Sequence, residues 1–202
     1  MKRKNQMMQD FYRLLPPEIG QTRTQQVMDL AWKNFERLLQ ENPGEPRALK
    51  VHTVGTLYPA VSIYEALQRS GMAQPEALGL MDLLCSRRAE KQAQSIRTML
   101  KIPGLYRKMP AIFRWMTVHQ FGEAAGFRAH FYDTDKRCCK FDMTRCAYYE
   151  TCTRLGCPEL TPCFCHTDDV TDGHMHPKIR WHRTQTIGEG GSLCDFQITV
   201  ED

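Results

Sequence analysis

The chain has 202 residues, of which 42% are hydrophobic and 25% are charged, and its formal net charge is +4. This composition is typical of a folded globular domain and excludes a disordered segment. Lysine and arginine are scattered among acidic residues without a long basic run, so nucleic acid is not expected as a partner.

Four helices are predicted in the first 120 residues. In one of them Val27, Ala31, Phe35 and Leu38 share a face at helical spacing, and the helix ends at the Asn-Pro-Gly sequence at 42–44. The others are predicted in "TLYPAVSIYEALQRSG", in "PEALGLMDLLCSRRAEKQAQSIRTML" and in the shorter "PAIFRWMTVHQFG". The third of the four runs to about Leu100. The N-terminal half is therefore mostly helical.

Four antiparallel strands are predicted after Gly126, where the hydrophobic period changes to two. Alternation in "FRAHFYD" and "CCKFDMT" around the polar "DTDK" is typical of a hairpin. A second pair is predicted in "KIRWHRTQTI" and "CDFQITV" around the turn sequence "GEGGS". In the third strand Ile179, Trp181 and Arg183 share one side, because side chains alternate along a strand.

Two short helices are predicted to connect the second strand to the third. Arg145 to Leu155 can form one that ends at Gly156, and Thr161 with Pro162 can open another that runs through Asp168. A crossover over one face or edge of the sheet brings its cysteines towards Cys194 on the last strand. The expected class is α+β, with an N-terminal helical half packed on a small C-terminal antiparallel sheet of about four strands with a helical crossover. We expect a single domain over residues 1–202, mainly helical in 1–122 and with the sheet and crossover in 123–202.

The start of the chain and its cysteines indicate an intracellular compartment. The basic opening "MKRKNQMMQDFYRLLPPEIG" lacks the apolar run of roughly seven to fifteen residues that a secretory signal needs. No stretch approaches the ~18 apolar residues of a membrane helix. We therefore expect a cytoplasmic protein without a membrane partner, in which the nine cysteines are thiols, ligands or catalysts rather than disulfides.

The segment "ELTPCFCHTDDVTDGHMHP" at 159–177 contains two cysteines, three histidines and three aspartates. A structural zinc site usually shows two cysteine pairs, each with about two to four residues between its members. The spacing here differs, since successive cysteines from Cys146 to Cys165 stand six, five, six and two residues apart. A divalent metal such as zinc, with His174 and His176 as further ligands, stays open as a possible cofactor. The plainer alternative is that the cysteines are small buried apolar residues and that the histidines are exposed in a loop. We expect the buried apolar role for Cys152, Cys157 and Cys163 and for Cys85, Cys138 and Cys139.

Four ordered motifs carry a resemblance to a known family. The succession of "RCAYYE", "PELTPCFCHTDD", "IRWHRTQTIGEGG" and "CDFQI" resembles the L-2-amino-thiazoline-4-carboxylic acid hydrolase family, most closely over 140–198. The resemblance implies an enzyme that opens a cyclic isothiourea, 2-amino-thiazoline-4-carboxylate, to N-carbamoyl-cysteine. Its partner is then a small-molecule substrate, and the sequence leaves a homo-oligomer open.

The resemblance also assigns candidate site residues. The positions that match the family motifs are Cys146, Cys165, Asp168, Arg183, Thr184, Cys194 and Asp195. We expect catalytic roles for Cys146, Cys165, Asp168 and Cys194 and substrate binding for Arg183 and Thr184. Asp195 is a weaker candidate, because it faces the other side of its strand from Cys194.

A thiol mechanism follows from this set as a hypothesis. Cys165 is the expected nucleophile, with a pKa lowered by the helix N-terminus and by a neighbouring His166 imidazolium. Asp168 or Asp169 orients water or transfers a proton, and Arg183 holds the substrate carboxylate.

Structural roles remain open for the same residues. Asp168 can simply end its helix, Arg183 can pair with an acid across the sheet, and Cys194 can belong to the core. The rival function is a non-catalytic sensor domain that binds a ligand or metal through Cys and His residues in 146–176.

Overall fold

A computed structural model describes residues 5–201 of the chain. Residues 1–4, at the start of the basic opening segment, lie outside the described part. The helical half contains the following helices: α1 (Gln6–Leu14), α2 (Pro16–Ile19), α3 (Gln21–Glu41), α4 (Arg47–His52), α5 (Tyr58–Arg69), α6 (Gln74–Met99) and α7 (Met109–Gln120). A π-helical turn at Thr53–Leu57 joins α4 to α5. The four helices expected from periodicity are α3, α5, α6 and α7.

The C-terminal part is a four-stranded antiparallel sheet with a helical crossover. Its elements are β1 (Arg128–Phe131), β2 (Cys138–Arg145), α8 (Ala147–Arg154), α9 (Thr161–Asp172), β3 (Ile179–His182) and β4 (Cys194–Val200). The strand order is β1-β2-β4-β3, so the crossover between β2 and β3 leaves room for β4 to pair between them. The predicted α+β class and strand count are confirmed.

Two boundaries differ from the sequence-based expectation. The helix α9 continues to Asp172 instead of ending near Asp168, so Asp168 does not terminate it. The strand β3 ends at His182, so Arg183 begins the following loop. Hydrogen bonds from the Thr184 and Gln185 amides to Asp195 divert the chain there from regular pairing with β4.

Two hydrophobic cores meet along the crossover. One core joins α1, α3, α5 and α6 and includes the buried thiols Cys152, Cys157 and Cys163. The other covers one sheet face, where Phe113 of α7 lies 5.9 Å from the Phe141 ring and 5.7 Å from the Trp181 ring. Tyr148 packs against both cores. No helix in the described part of the chain is long and apolar enough to cross a membrane.

Candidate functional site

A cavity of about 430 Å³ lies between the helical half and the sheet. Side chains of α6 and α9 line one part of it, and aromatic side chains of α7, β2 and β4 line another. Its volume falls within the range of roughly 300–1,000 Å³ that is usual for small-molecule sites. The cavity is therefore large enough to enclose a small organic compound.

Four cysteines line this cavity, and three of them, from separate elements, match the family motifs. Cys146 stands between β2 and α8, Cys165 lies in the second turn of α9, and Cys194 begins β4. The expectation that Cys165 and Cys194 share one cavity is confirmed. All nine cysteines of the chain are free thiols. The fourth cysteine of the cavity lining, Cys85 of α6, is buried and lies outside the family motifs.

A glycine allows the loop before β4 to approach Cys165 closely. A Cβ atom on Gly188 would lie 2.7 Å from the Cys165 Sγ, so only glycine fits without a shift of the thiol or the loop. In the same turn the Ile187 amide donates a hydrogen bond to the Cys194 Sγ at 3.2 Å. This turn, Ile187–Glu189, thus positions two of the three thiols.

Burial raises the pKa of each of the three thiols to about 11. For Cys165 the Thr186 hydroxyl opposes this effect, and for Cys194 the Ile187 amide does so. For Cys146, which precedes the first turn of α8, backbone amides of that turn lower the pKa and so oppose the effect of burial. The expected helix effect therefore falls on Cys146, and all three groups are protonated thiols at neutral pH.

The expected His166 imidazolium does not activate Cys165. His166 Nδ1 lies 2.7 Å from Asp82 Oδ1, and Nε2 lies 3.3 Å from Glu189 Oε1. Burial lowers the pKa of His166, but these two carboxylates raise it above its usual value. The expectation was wrong because consecutive residues of a helix point about 100° apart. His166 faces acids outside the cavity, whereas Cys165 faces into it.

Asp168 and Arg183 form an ion pair at the cavity. Arg183 Nη1 donates to Asp168 at 3.2 Å, while Nη2 donates to Asp169 at 2.6 Å and to the Cys165 carbonyl at 3.1 Å. The Arg183 side chain is only 5% exposed. The partners of Arg183 are thus internal acids, and they come from α9 rather than from across the sheet.

The pKa of Asp168 is raised to about 7. Burial is the main cause, and Arg183 opposes it. Although 43% of the Asp168 side chain is exposed, that surface lies at the cavity, where protein surrounds the carboxyl. We therefore attribute the raised pKa to the enclosed position of the group. A carboxyl with a pKa near neutrality is suited to accept and return protons.

Asp172 is a cavity residue that the sequence analysis did not select. It stands four residues after Asp168, on the same helix face, and lines the cavity. Burial and the neighbouring Asp168 raise its pKa well above the usual range. The four-residue separation between Asp168 and Asp172 would have identified it, but only if α9 had been predicted to continue past Asp168.

A hydrogen-bonded pair lies at the junction of the two halves. His52 Nε2 is 2.8 Å from the Gln120 carbonyl, so Nε2 carries the proton and Nδ1 can accept from the Tyr148 hydroxyl at 3.3 Å. Burial lowers the pKa of His52, although the Gln120 carbonyl acts in the opposite direction. Tyr148 and Thr56 line the cavity. The hydrogen bond to His52 fixes the Tyr148 hydroxyl as a polar group of the cavity lining.

Other candidates lie away from the cavity lining. The Thr184 hydroxyl donates to Asp195 Oδ2 at 2.6 Å, so the two residues fasten the loop to β4. The His176 ring stacks on Tyr106 with 4.5 Å between centroids, and His174 is exposed. Within residues 5–201, no group of three or more His, Cys, Asp and Glu side chains is arranged to hold a metal ion.

Comparisons with known proteins give one family match. A family model described as L-2-amino-thiazoline-4-carboxylic acid hydrolase matches residues 52–198. No curated protein matches the chain. Among solved structures, an H-NOX protein from S. oneidensis in the Fe(II)NO ligation state is 10% identical with a TM-score of 0.39 over 98% of this chain and 100% of that chain. An Fe(II) unliganded H-NOX protein from K. algicida is 13% identical with a TM-score of 0.35 over 97% of this chain and 95% of that chain. TM-scores this low support no argument about fold or function.

Proposed function

Because the chain belongs to the L-2-amino-thiazoline-4-carboxylic acid hydrolase family, we propose that it hydrolyses a small cyclic isothiourea or a related compound with C–N and C–S bonds. The reference reaction is the opening of 2-amino-thiazoline-4-carboxylate to N-carbamoyl-cysteine. The family description supports hydrolysis, and the cavity supports a small-molecule substrate.

One observation carries the proposal. Cys146, Cys165, Asp168, Arg183 and Cys194 come from distant motifs of the sequence and all line the same cavity. A purely structural origin of the motifs would not require their side chains to meet at an enclosed space. This convergence is what a catalytic site needs, because proximity and orientation supply a large part of catalysis.

Asp168 is the proposed proton carrier. Cys165 and Asp168 stand three residues apart on one helix face and both line the cavity, where the Asp168 charge contributes to the raised pKa of Cys165. The pKa of Cys165 near 11 means that the thiol must lose its proton during attack, and a carboxylate with a pKa near 7 can accept it.

The proposed reaction proceeds in two stages. The Cys165 sulfur attacks the ring carbon bonded to two nitrogens and a sulfur, while the thiol proton passes to Asp168. The ring C–S bond then breaks, and Asp168 returns the proton to the leaving sulfur. Water attacks the enzyme-bound carbon and gives a proton to Asp168. The Cys165 sulfur leaves and recovers that proton, and the released urea is the carbamoyl product.

Arg183 is better suited to position Asp168 than to bind substrate. Three of its five N–H groups already donate to Asp168, Asp169 and the Cys165 carbonyl. Asp169 also accepts from the Trp181 indole at 3.0 Å, which braces the arrangement. The guanidinium thus holds the Asp168 carboxyl beside Cys165 and prevents its pKa from rising further.

Trapping of the covalent intermediate tests the proposal. The Cys165→Ala variant should lose turnover of 2-amino-thiazoline-4-carboxylate, and rapid quenching of the parent protein should show an adduct on Cys165 by mass spectrometry. Cys163→Ala is the matched control, because Cys163 is buried two residues away in the helical core and does not line the cavity. Parent-like turnover by Cys165→Ala would refute the thiol mechanism. Loss of turnover without any adduct in the parent would favour direct attack by water with Asp168 as base.

A further inference from the structure

Arg183 is poorly placed to bind a substrate carboxylate. Its side chain is 5% exposed and already faces Asp168 and Asp169, and Asp172 adds a third carboxyl on the same helix. A further carboxylate beside this group would be repelled by any of these acids that is ionised. An anionic group of the substrate therefore needs a different cation.

Arg88 is a second arginine on the cavity, and its guanidinium is less committed. It projects from α6, and its Nε donates to Asp10 at 3.3 Å. Among the residues that the structure describes, its two Nη groups have no hydrogen-bond partner. These Nη groups can form the planar pair of donors that a carboxylate accepts.

The acidic and basic groups of the cavity lie on different helices. Asp168 and Asp172 belong to α9, and Arg88 belongs to α6, which packs against α9. Tyr148 lines the same cavity, and burial raises the pKa of its phenol, with smaller effects of Asp168, which raises it, and of Arg88, which lowers it. A compound with a cation at one end and an anion at the other can satisfy both helices at once.

We propose that Arg88 and Asp172 recognise the two charged ends of the substrate, with the carboxylate on Arg88 and the amidinium group on Asp168 and Asp172. The inference rests on the proposed function and adds Arg88 and Asp172 as the residues that determine its substrate specificity. Asp172 lines the cavity and is partly buried, and its carboxyl makes no hydrogen bond within residues 5–201. An unpartnered buried carboxyl is costly, and an amidinium would replace its proton with a charged partner.

Binding measurements test the zwitterion without relying on turnover. All proteins carry Cys165→Ala, and calorimetry compares 2-amino-thiazoline-4-carboxylate with 2-amino-thiazoline, which lacks the carboxylate. We expect the acid to bind about 10- to 100-fold more tightly, the range that charge-assisted hydrogen bonds produce. Adding Arg88→Gln should abolish this preference. Adding Asp172→Asn should weaken the binding of both compounds by a similar factor, since both contain the amidine group.

Two further variants control for misfolding and for general charge effects. Arg87→Gln removes the preceding arginine of α6, which pairs with Glu18 and does not line the cavity, and should keep the preference. Arg88→Lys keeps the positive charge but lacks the planar pair of donors, so it should reduce the preference for the acid several-fold. This variant keeps the test valid if Arg88→Gln is unstable. Equal binding of the two compounds, no binding of either, or a preference that survives Arg88→Gln would overturn the inference. Selective binding of the acid together with no turnover by the parent protein would overturn the proposed hydrolysis alone.

Discussion

Replacing Gly188 with alanine tests the placement of the Cys165 thiol without changing the thiol itself. The new Cβ would lie 2.7 Å from Cys165 Sγ and 2.8 Å from Thr161 Cγ2. Non-bonded carbon atoms prefer separations of roughly 3.5–4.0 Å, so the thiol, the threonine methyl or the turn must move by about 1 Å. Both neighbours belong to α9, which is held between α6 and the turn, and the whole helix cannot shift freely.

The structure sets the size of the expected effects. Overpacking of a dense interior costs about 1–3 kcal/mol, and we expect Gly188→Ala to lower the free energy of unfolding by that amount. A displacement of about 1 Å at a reacting group reduces a rate by roughly 100-fold. Turnover should therefore fall far more than the loss of folded protein would explain.

Urea unfolding and turnover of 2-amino-thiazoline-4-carboxylate measure the two effects. Gly79→Ala is the control, because a Cβ at this exposed position of α6 meets nothing within 4 Å. It should raise the free energy of unfolding by roughly 0.5–1 kcal/mol and leave turnover unchanged. In a Cys165→Ala background, Gly188→Ala should cost less stability, since one of the two close contacts is gone. A Gly188→Ala protein with the stability and turnover of the parent would refute the close packing described for this turn.

Four further outcomes follow from the charged groups. The pH profile of kcat/KM should rise through a pKa of about 7 as Asp168 becomes a base, and Asp168→Asn should remove that transition. Because the folded pKa of Asp168 lies above its unfolded value, the folded state holds the extra proton and stability falls as pH rises from about 4 to about 7. At pH 8 the Asp168→Asn variant should therefore exceed the parent in free energy of unfolding by on the order of 1 kcal/mol, a figure reduced to allow for the partly exposed side chain. Urea titrations of both proteins at pH 4 and pH 8 measure this, and the difference should be absent at pH 4. Arg183→Lys should lower the free energy of unfolding by about 1–3 kcal/mol, because an ammonium cannot reach Asp168, Asp169 and a carbonyl together; unchanged stability would contradict the bridging role. Burial raises the pKa of Asp195, but the Thr184 hydroxyl and nearby amides lower it overall, so Asp195→Ala should cost about 1–3 kcal/mol at pH 7 and progressively less as acid protonates the parent.

Much of the fold was predictable from local patterns. The apolar face of α3 and the alternation of Phe127, Ala129 and Phe131 are set by the periods of a helix and a strand, which depend on backbone geometry alone. The four ordered motifs likewise identified the family and the three thiols Cys146, Cys165 and Cys194. The roles proposed for these thiols stay predictions.

The chemistry of the site depended on which side chains meet in space. The high pKa of Cys165 comes from burial between α9 and the turn at Gly188, and the direction of His166 comes from the helical rotation of one residue. Asp172 joins the cavity only because α9 runs one turn further than its sequence indicated, and Arg88 joins it only because α6 packs against α9. Desolvation and ion pairing act over a few ångströms of space and take no account of distance along the chain. Motif order thus located the candidate residues, whereas tertiary packing decided their protonation states and partners.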